Sequence, residues 1–144
     1  MFGPHTSIIF VPTARCNCDC AYCFQERSQA NLSMEEVSTL FGRAAGYLSR
    51  SGVRRVDVYW QGGEIMVLSP DWCLEAGRAI SALMGRQGVG CKHFLQTNLM
   101  EYTPEWDQVI WELFDGSVGS SLDFPNIHRR FRGLSGDDYS EHWT

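Results

Sequence analysis

Three features of the sequence predict an α/β fold built on a parallel sheet. Short β-type segments alternate with helical ones in the order β-α-β-α-β-α-β, which favours parallel strands joined by right-handed crossovers. The helical segments open with recognisable start chemistry. Each unusual polar cluster falls just after a predicted strand, where ligands gather in such folds. With 144 residues the chain suits a single domain spanning 1–144.

Ser7 to Val11 reads as a buried strand, followed by a cysteine-rich loop from Pro12 to Asn31. Ser33 and Glu36 form a capping box that starts a helix. Val37, Leu40, Phe41, Ala44, Ala45 and Leu48 recur on one face of it, and Gly52 ends it. Val53 to Trp60 is the second strand, with Val56, Val58 and Trp60 on one face. Ser69-Pro70-Asp71 opens the second helix as N-cap, N1 proline and first-turn acid. Leu74, Gly77, Ile80 and Met84 line its apolar face, and Gln87 to Gly90 stops it. His93 to Thr97 is the third strand. Thr103-Pro104-Glu105 repeats the helix-opening chemistry ahead of Trp106, Ile110, Leu113 and Phe114. Ser117 to Leu122 reads as a fourth, glycine-interrupted strand. The tail from Asp123 to Thr144 has no periodicity and reads as a substrate loop.

A net charge of −5 argues against broad attraction to nucleic acid or anionic membrane. The basic run Arg129-Arg130-Phe131-Arg132 is either a solvated loop or a contact for an anionic ligand. No stretch approaches the roughly 20 apolar residues that span a bilayer, and no secretory signal is visible. A cytoplasmic location is expected, where thiols stay reduced. Six cysteines then read as metal or redox ligands, and four of them fall between residues 16 and 23.

Cys16, Cys20 and Cys23 follow the spacing C-x3-C-x2-C. Three thiolates on a tight loop can hold three irons of a [4Fe–4S] cubane and leave the fourth iron open to a ligand. A zinc site would pair two such halves at a distance, and no second half is visible, His93 and His128 being isolated. Cys18 keeps a four-thiolate alternative open. Cys73 and Cys91 read as filler. Strand two runs into Gln61-Gly62-Gly63-Glu64, strand three into Thr97-Asn98, and strand four into Ser121-Leu122-Asp123. Four clusters on one face describe a site.

The cysteine spacing, with Tyr22 before Cys23, the Gly62-Gly63-Glu64 run, Thr97-Asn98 and Ser121-Leu-Asp-Phe-Pro125, resembles the radical S-adenosylmethionine (SAM) superfamily. Within it, the combination most resembles the peptide- and protein-modifying branch, which includes anaerobic sulfatase maturases and SPASM-type peptide maturases. The resemblance implies a partial, TIM-like (β/α) barrel, of which this chain would hold about the first four strands of six. It implies a [4Fe–4S] cluster on Cys16, Cys20 and Cys23, with Cys18 at a variable, non-ligand position. SAM would chelate the open iron, and an electron from the cluster would cleave it to a 5′-deoxyadenosyl radical that abstracts hydrogen from a bound peptide or protein. Tyr22 would lie near the adenine, and Gly62, Gly63 and Glu64 near the methionine ammonium. Thr97 and Asn98 would also contact SAM, with Leu99 standing where glycine is usual. Ser121 and Arg132 would contact SAM as well, Arg132 through its carboxylate, with Arg130 as competitor. Asp123 is a candidate base by position only, beside the reading of a turn aspartate. A reducing donor such as flavodoxin or ferredoxin is implied. So is a C-terminal half or SPASM domain beyond this chain, which would make it a fragment, a truncated product or half of a split enzyme. The other readings are a closed, non-catalytic cysteine-ligated metal or electron-transfer module, and an inactive remnant.

Overall fold

Among the described residues, capping chemistry decides where two of the three α-helices begin. In the computed structural model, which describes residues 3–26, 28–121 and 131, α1 (Met34–Arg50) starts at Ser33. The Ser33 side chain accepts from the Glu36 N–H while Glu36 reaches back to the Ser33 N–H at 2.8 Å. Gly52, at φ +82, follows its C-cap Ser51 in the left-handed conformation that turns the chain into the next strand. Helix α2 (Pro70–Arg86) starts at Ser69, whose hydroxyl accepts from Trp72 N–H. Helix α3 (Trp106–Phe114) departs from expectation. Glu105 stands at its N-cap with no side-chain cap bond, because a turn precedes it in which Trp106 N–H bonds Thr103 O and Asp107 N–H bonds Pro104 O.

Among the described residues three strands form one parallel sheet in the order β1 (His5–Phe10), β2 (Arg55–Trp60), β3 (Gly90–Leu95). Phe10, Trp60 and Leu95 align in register, as do Ile8, Val58 and His93. Those side chains share the face that the helices cover. Phe10 meets Phe41 of α1 and Trp60 edge-on, at centroid distances of 5.0 and 4.8 Å, and Trp60 meets Phe114 of α3. α1 packs on α2, and α2 on α3. Gly77 lets α3 close on α2, since a Cβ there would sit 2.4 Å from Leu113. The expected apolar faces hold, except that Leu40 on α1 is exposed.

Two strand expectations are corrected. β1 is an edge strand, not a buried one: Ser7 is exposed and Ile9 is 66% exposed. Its apolar run reads as burial on both faces, yet the helices cover only one. Among the described residues the fourth strand is a single parallel bridge between Gln96 and Gly119. Gly119 N–H bonds Leu95 O at 2.8 Å, and Thr97 N–H bonds Gly119 O at 3.0 Å. Leu122, the end of that expected strand, lies outside the described residues. No helix among the described residues is long and apolar enough to cross a membrane.

Candidate functional site

The cysteine loop is closed at its base. Leu32 N–H bonds Pro12 O and Ala14 N–H bonds Ala30 O, so residues 12–14 and 30–32 run as a short antiparallel pair. Thr13 Oγ1 adds a bond to Asn31 Oδ1 at 2.6 Å. The expected limits of the loop, Pro12 and Asn31, therefore coincide with its hydrogen-bonded neck.

The two glycines after β2 fit against this loop. Gly63 N–H bonds Thr13 O and Glu64 N–H bonds Arg15 O. A Cβ on Gly62 would lie 2.5 Å from Thr13 O, and one on Gly63 only 1.9 Å from Arg15 O. No side chain larger than hydrogen fits there. The closest neighbour that demands glycine is thus the cysteine loop's own backbone.

Glu64 is 4% exposed and bonded through both oxygens. Oε1 accepts from Met66 N–H at 3.0 Å and Thr97 Oγ1 at 2.5 Å, while Oε2 accepts from Asn98 N–H at 2.7 Å. Burial pushes its carboxyl above the usual range, against the downward pull of those three bonds. The Asn98 amide is also in use: Nδ2 donates to Asn17 Oδ1 at 2.7 Å and to Cys18 Sγ at 3.2 Å, and Oδ1 accepts from Met100 N–H. Asn17 in turn donates to Glu101. Leu99 takes φ +63, the left-handed conformation open to glycine, so the turn survives the larger residue.

One cavity of about 250 Å³ gathers the expected site residues. Cys16, Cys18, Cys20, Cys23 and Tyr22 line it from the loop, Gly62, Gly63 and Glu64 from the end of β2. Thr97 and Asn98 line it from the end of β3, and Ser121 closes the set. Arg132, Asp123, His128, Arg129 and Arg130 lie outside the described residues. Gln61, which opens the run after strand two, shares the wall; sequence reasoning gave no role to Gln96 and Phe24, which also share it, or to Asn17, which braces it. Phe24 stands beside Cys23 with 94% of its surface exposed, an apolar side chain facing open space. A second cavity, about 360 Å³ over Tyr59, Lys92 and Phe94, adjoins the first through Gln61 and Gln96.

Among the described residues no three His, Cys, Asp or Glu side chains are gathered as metal ligands. The donor set suits an iron–sulfur cluster by its chemistry, as thiols carried on one loop. Four cysteines, Cys16, Cys18, Cys20 and Cys23, line one cavity, and Cys20 and Cys23 share a turn closed by Cys23 N–H on Cys20 O. Cys16 Sγ accepts the Cys18 N–H at 3.3 Å. Cys18, 3% exposed, is held well above the ordinary thiol range, first by its hydrogen bond with Cys16 and then by burial. Cys73 is buried in the core, and His93 is bonded within the chain by Trp60 and Ser81.

No protein-family model matches the sequence, and no curated protein matches it. Solved structures do match. The anaerobic sulfatase-maturating enzyme anSMEcpe with bound AdoMet aligns at a TM-score of 0.68 and 22% identity, over 96% of this chain and 39% of that one. The same protein with bound AdoMet and the Cp18Cys peptide gives 0.67 and 22%, over 96% and 38%. With the Kp18Cys peptide it gives 0.67 and 21%, over 96% and 39%. This chain therefore has the fold of those structures over nearly its whole length, and spans about two-fifths of theirs.

Proposed function

We propose that this chain is a radical SAM protein of the peptide-modifying kind, holding a [4Fe–4S] cluster and SAM in the cavity between the cysteine loop and the strand ends. The observation that carries the reading is the convergence of Cys16, Cys20, Cys23, Tyr22, Gly62, Gly63, Glu64, Thr97, Asn98 and Ser121 on that single cavity. The likeness of fold to an AdoMet-binding enzyme supports it further.

Cluster and SAM together supply one-electron radical chemistry, and the protein supplies binding and orientation. We assign Cys16, Cys20 and Cys23 as iron ligands. Tyr22, Gly62, Gly63 and Ser121 form the wall that SAM meets. Glu64, Thr97 and Asn98 line the same wall and hold its shape through bonds to one another. Arg132 remains the proposed partner of the SAM carboxylate. A peptide or protein is the proposed substrate, a reading supported by the peptides bound to anSMEcpe. Its side chains would reach the site across the open sheet face of Tyr59 and Phe94. An external reductant and the remainder of the barrel complete the proposal.

Anaerobic iron–sulfur reconstitution followed by electron paramagnetic resonance (EPR), with and without SAM, tests this reading. About four irons per chain are expected, with a reduced-cluster signal that SAM perturbs. A signal indifferent to SAM would favour the closed metal module, whose fourth thiolate would be Cys18. Replacing Cys18 by alanine then decides, since a closed site loses its cluster and an open one keeps it.

A further inference from the structure

The cysteine motif has a middle residue, Cys18, that the open-site reading leaves without a task. Its surroundings are specific. The thiol is buried, its backbone N–H donates to Cys16 Sγ at 3.3 Å, and its own sulfur accepts from Asn98 Nδ2 at 3.2 Å. The second proton of that amide goes to Asn17 Oδ1 at 2.7 Å, so one side chain at the end of β3 grips both residues between Cys16 and Asp19. Asn98 is itself immobilised, by Met100 N–H on its Oδ1 and by its own N–H on Glu64. Every polar atom of the Asn98 side chain is therefore bonded within the chain.

We infer that Asn98 is a positioning residue, which fixes the Cys16–Cys18 segment so that the Cys18 N–H stays on the Cys16 sulfur, and does not act as a direct SAM contact. The inference rests on the radical SAM reading for what Cys16 holds. Hydrogen bonds to ligand sulfurs help set the reduction potential of an iron–sulfur cluster. A donor on Cys16 stabilises the extra negative charge of the reduced state, so loosening it makes the cluster harder to reduce. Asn98 thus reaches the cluster's potential through two residues of loop.

The first readout needs no cluster. In the metal-free full chain, iodoacetamide labelling of Cys18 is followed by peptide mass spectrometry. Asn98→Ala should raise the labelling rate roughly three- to tenfold, the effect of losing about one hydrogen bond. Asn98→Leu, of similar size but without the donor and without a charge beside the sulfur, should do likewise. Unchanged labelling in both variants overturns the inference. The second readout is the midpoint potential of the reconstituted cluster in the absence of SAM. Asn98→Ala and Cys18→Ala should each retain iron and shift the potential to more negative values, and the double variant should shift it no further than either. If Asn98→Ala leaves the SAM-free potential in place and weakens only the response to SAM, Asn98 is a SAM contact and the positioning role is wrong. A wild-type chain that binds no iron overturns the radical SAM reading instead, and the labelling result alone then decides whether Asn98 holds the loop.

Discussion

Thr97 Oγ1 donates to Glu64 Oε1 at 2.5 Å, latching the end of β3 to the end of β2 inside the protein. Glu64 N–H bonds Arg15 O in the cysteine loop, so this carboxylate residue touches all three segments that build the cavity. An acid expected to meet a ligand is, in the fold, the node that keeps the cavity's walls together.

Replacing Glu64 by alanine leaves the Thr97 hydroxyl and the N–H groups of Met66 and Asn98 without their acceptor. Stranding buried donors is costly, and the expected loss is about 3 kcal/mol or more. Urea denaturation of Glu64→Ala against wild type measures it. A loss under about 1 kcal/mol would show that water or rearrangement replaces the carboxylate.

Two glycine-to-alanine substitutions should act in opposite directions. Gly63→Ala drives a methyl into Arg15 O, a backbone atom that cannot yield without moving the cysteine loop. A loss of about 4 kcal/mol or failure to fold is expected. Gly42→Ala, within α1 and with nothing in 4 Å of the new methyl, should stabilise by about 0.5–1 kcal/mol through helix propensity. Thermal melts of both variants check the pair, and the same sign for both would contradict the packing described.

What could be read from sequence here was local. The Ser33–Glu36 capping box and the Ser69-Pro70-Asp71 start depend on residues three or fewer apart, and both stand in the structure. The motif residues at strand ends followed from the alternation of elements, because that alternation puts all strand ends at one side of the sheet. What depends on a distant partner was illegible. The exposure of Ile9 depends on which face the helices choose. The role of Asn17 depends on Asn98, 81 residues away. Leu99 was a departure from glycine in the sequence, yet its backbone keeps a positive φ because Thr97 Oγ1 accepts its N–H and Asn98 Oδ1 accepts that of Met100.

His93 gives the fold a pH dependence whose sign can be worked out. Trp60 Nε1 can only donate, so at 2.9 Å it fixes His93 Nδ1 as acceptor, and Nε2 carries the proton toward Ser81 Oγ. Burial lowers the imidazole from 6.5 to about 4. Between those values the unfolded chain takes up a proton that the folded chain does not. Stability from this group is therefore full above pH 6.5 and falls as the pH drops toward about 4, by about 3 kcal/mol in all. His93→Gln, which keeps hydrogen-bonding groups but does not titrate, should lose that share of the slope. Urea unfolding of both proteins from pH 7 to 4 measures it, and parallel curves would show that His93 titrates normally.

Phe24 separates a structural from a ligand-facing role at the site. It lines the cavity beside Cys23, yet 94% of its surface is open, so the folded chain alone gains almost nothing from the ring. Phe24→Ala should change stability by no more than about 0.5 kcal/mol, as for other exposed substitutions. If SAM or a peptide occupies the cavity, burying that ring contributes on the order of 1.5 to 3 kcal/mol to binding. Titrating SAM against the EPR signal of the reconstituted chain should then need roughly tenfold more SAM in Phe24→Ala, each tenfold corresponding to about 1.4 kcal/mol. A SAM midpoint unchanged by the substitution would remove Phe24 from the SAM wall and leave the peptide as the partner to titrate next.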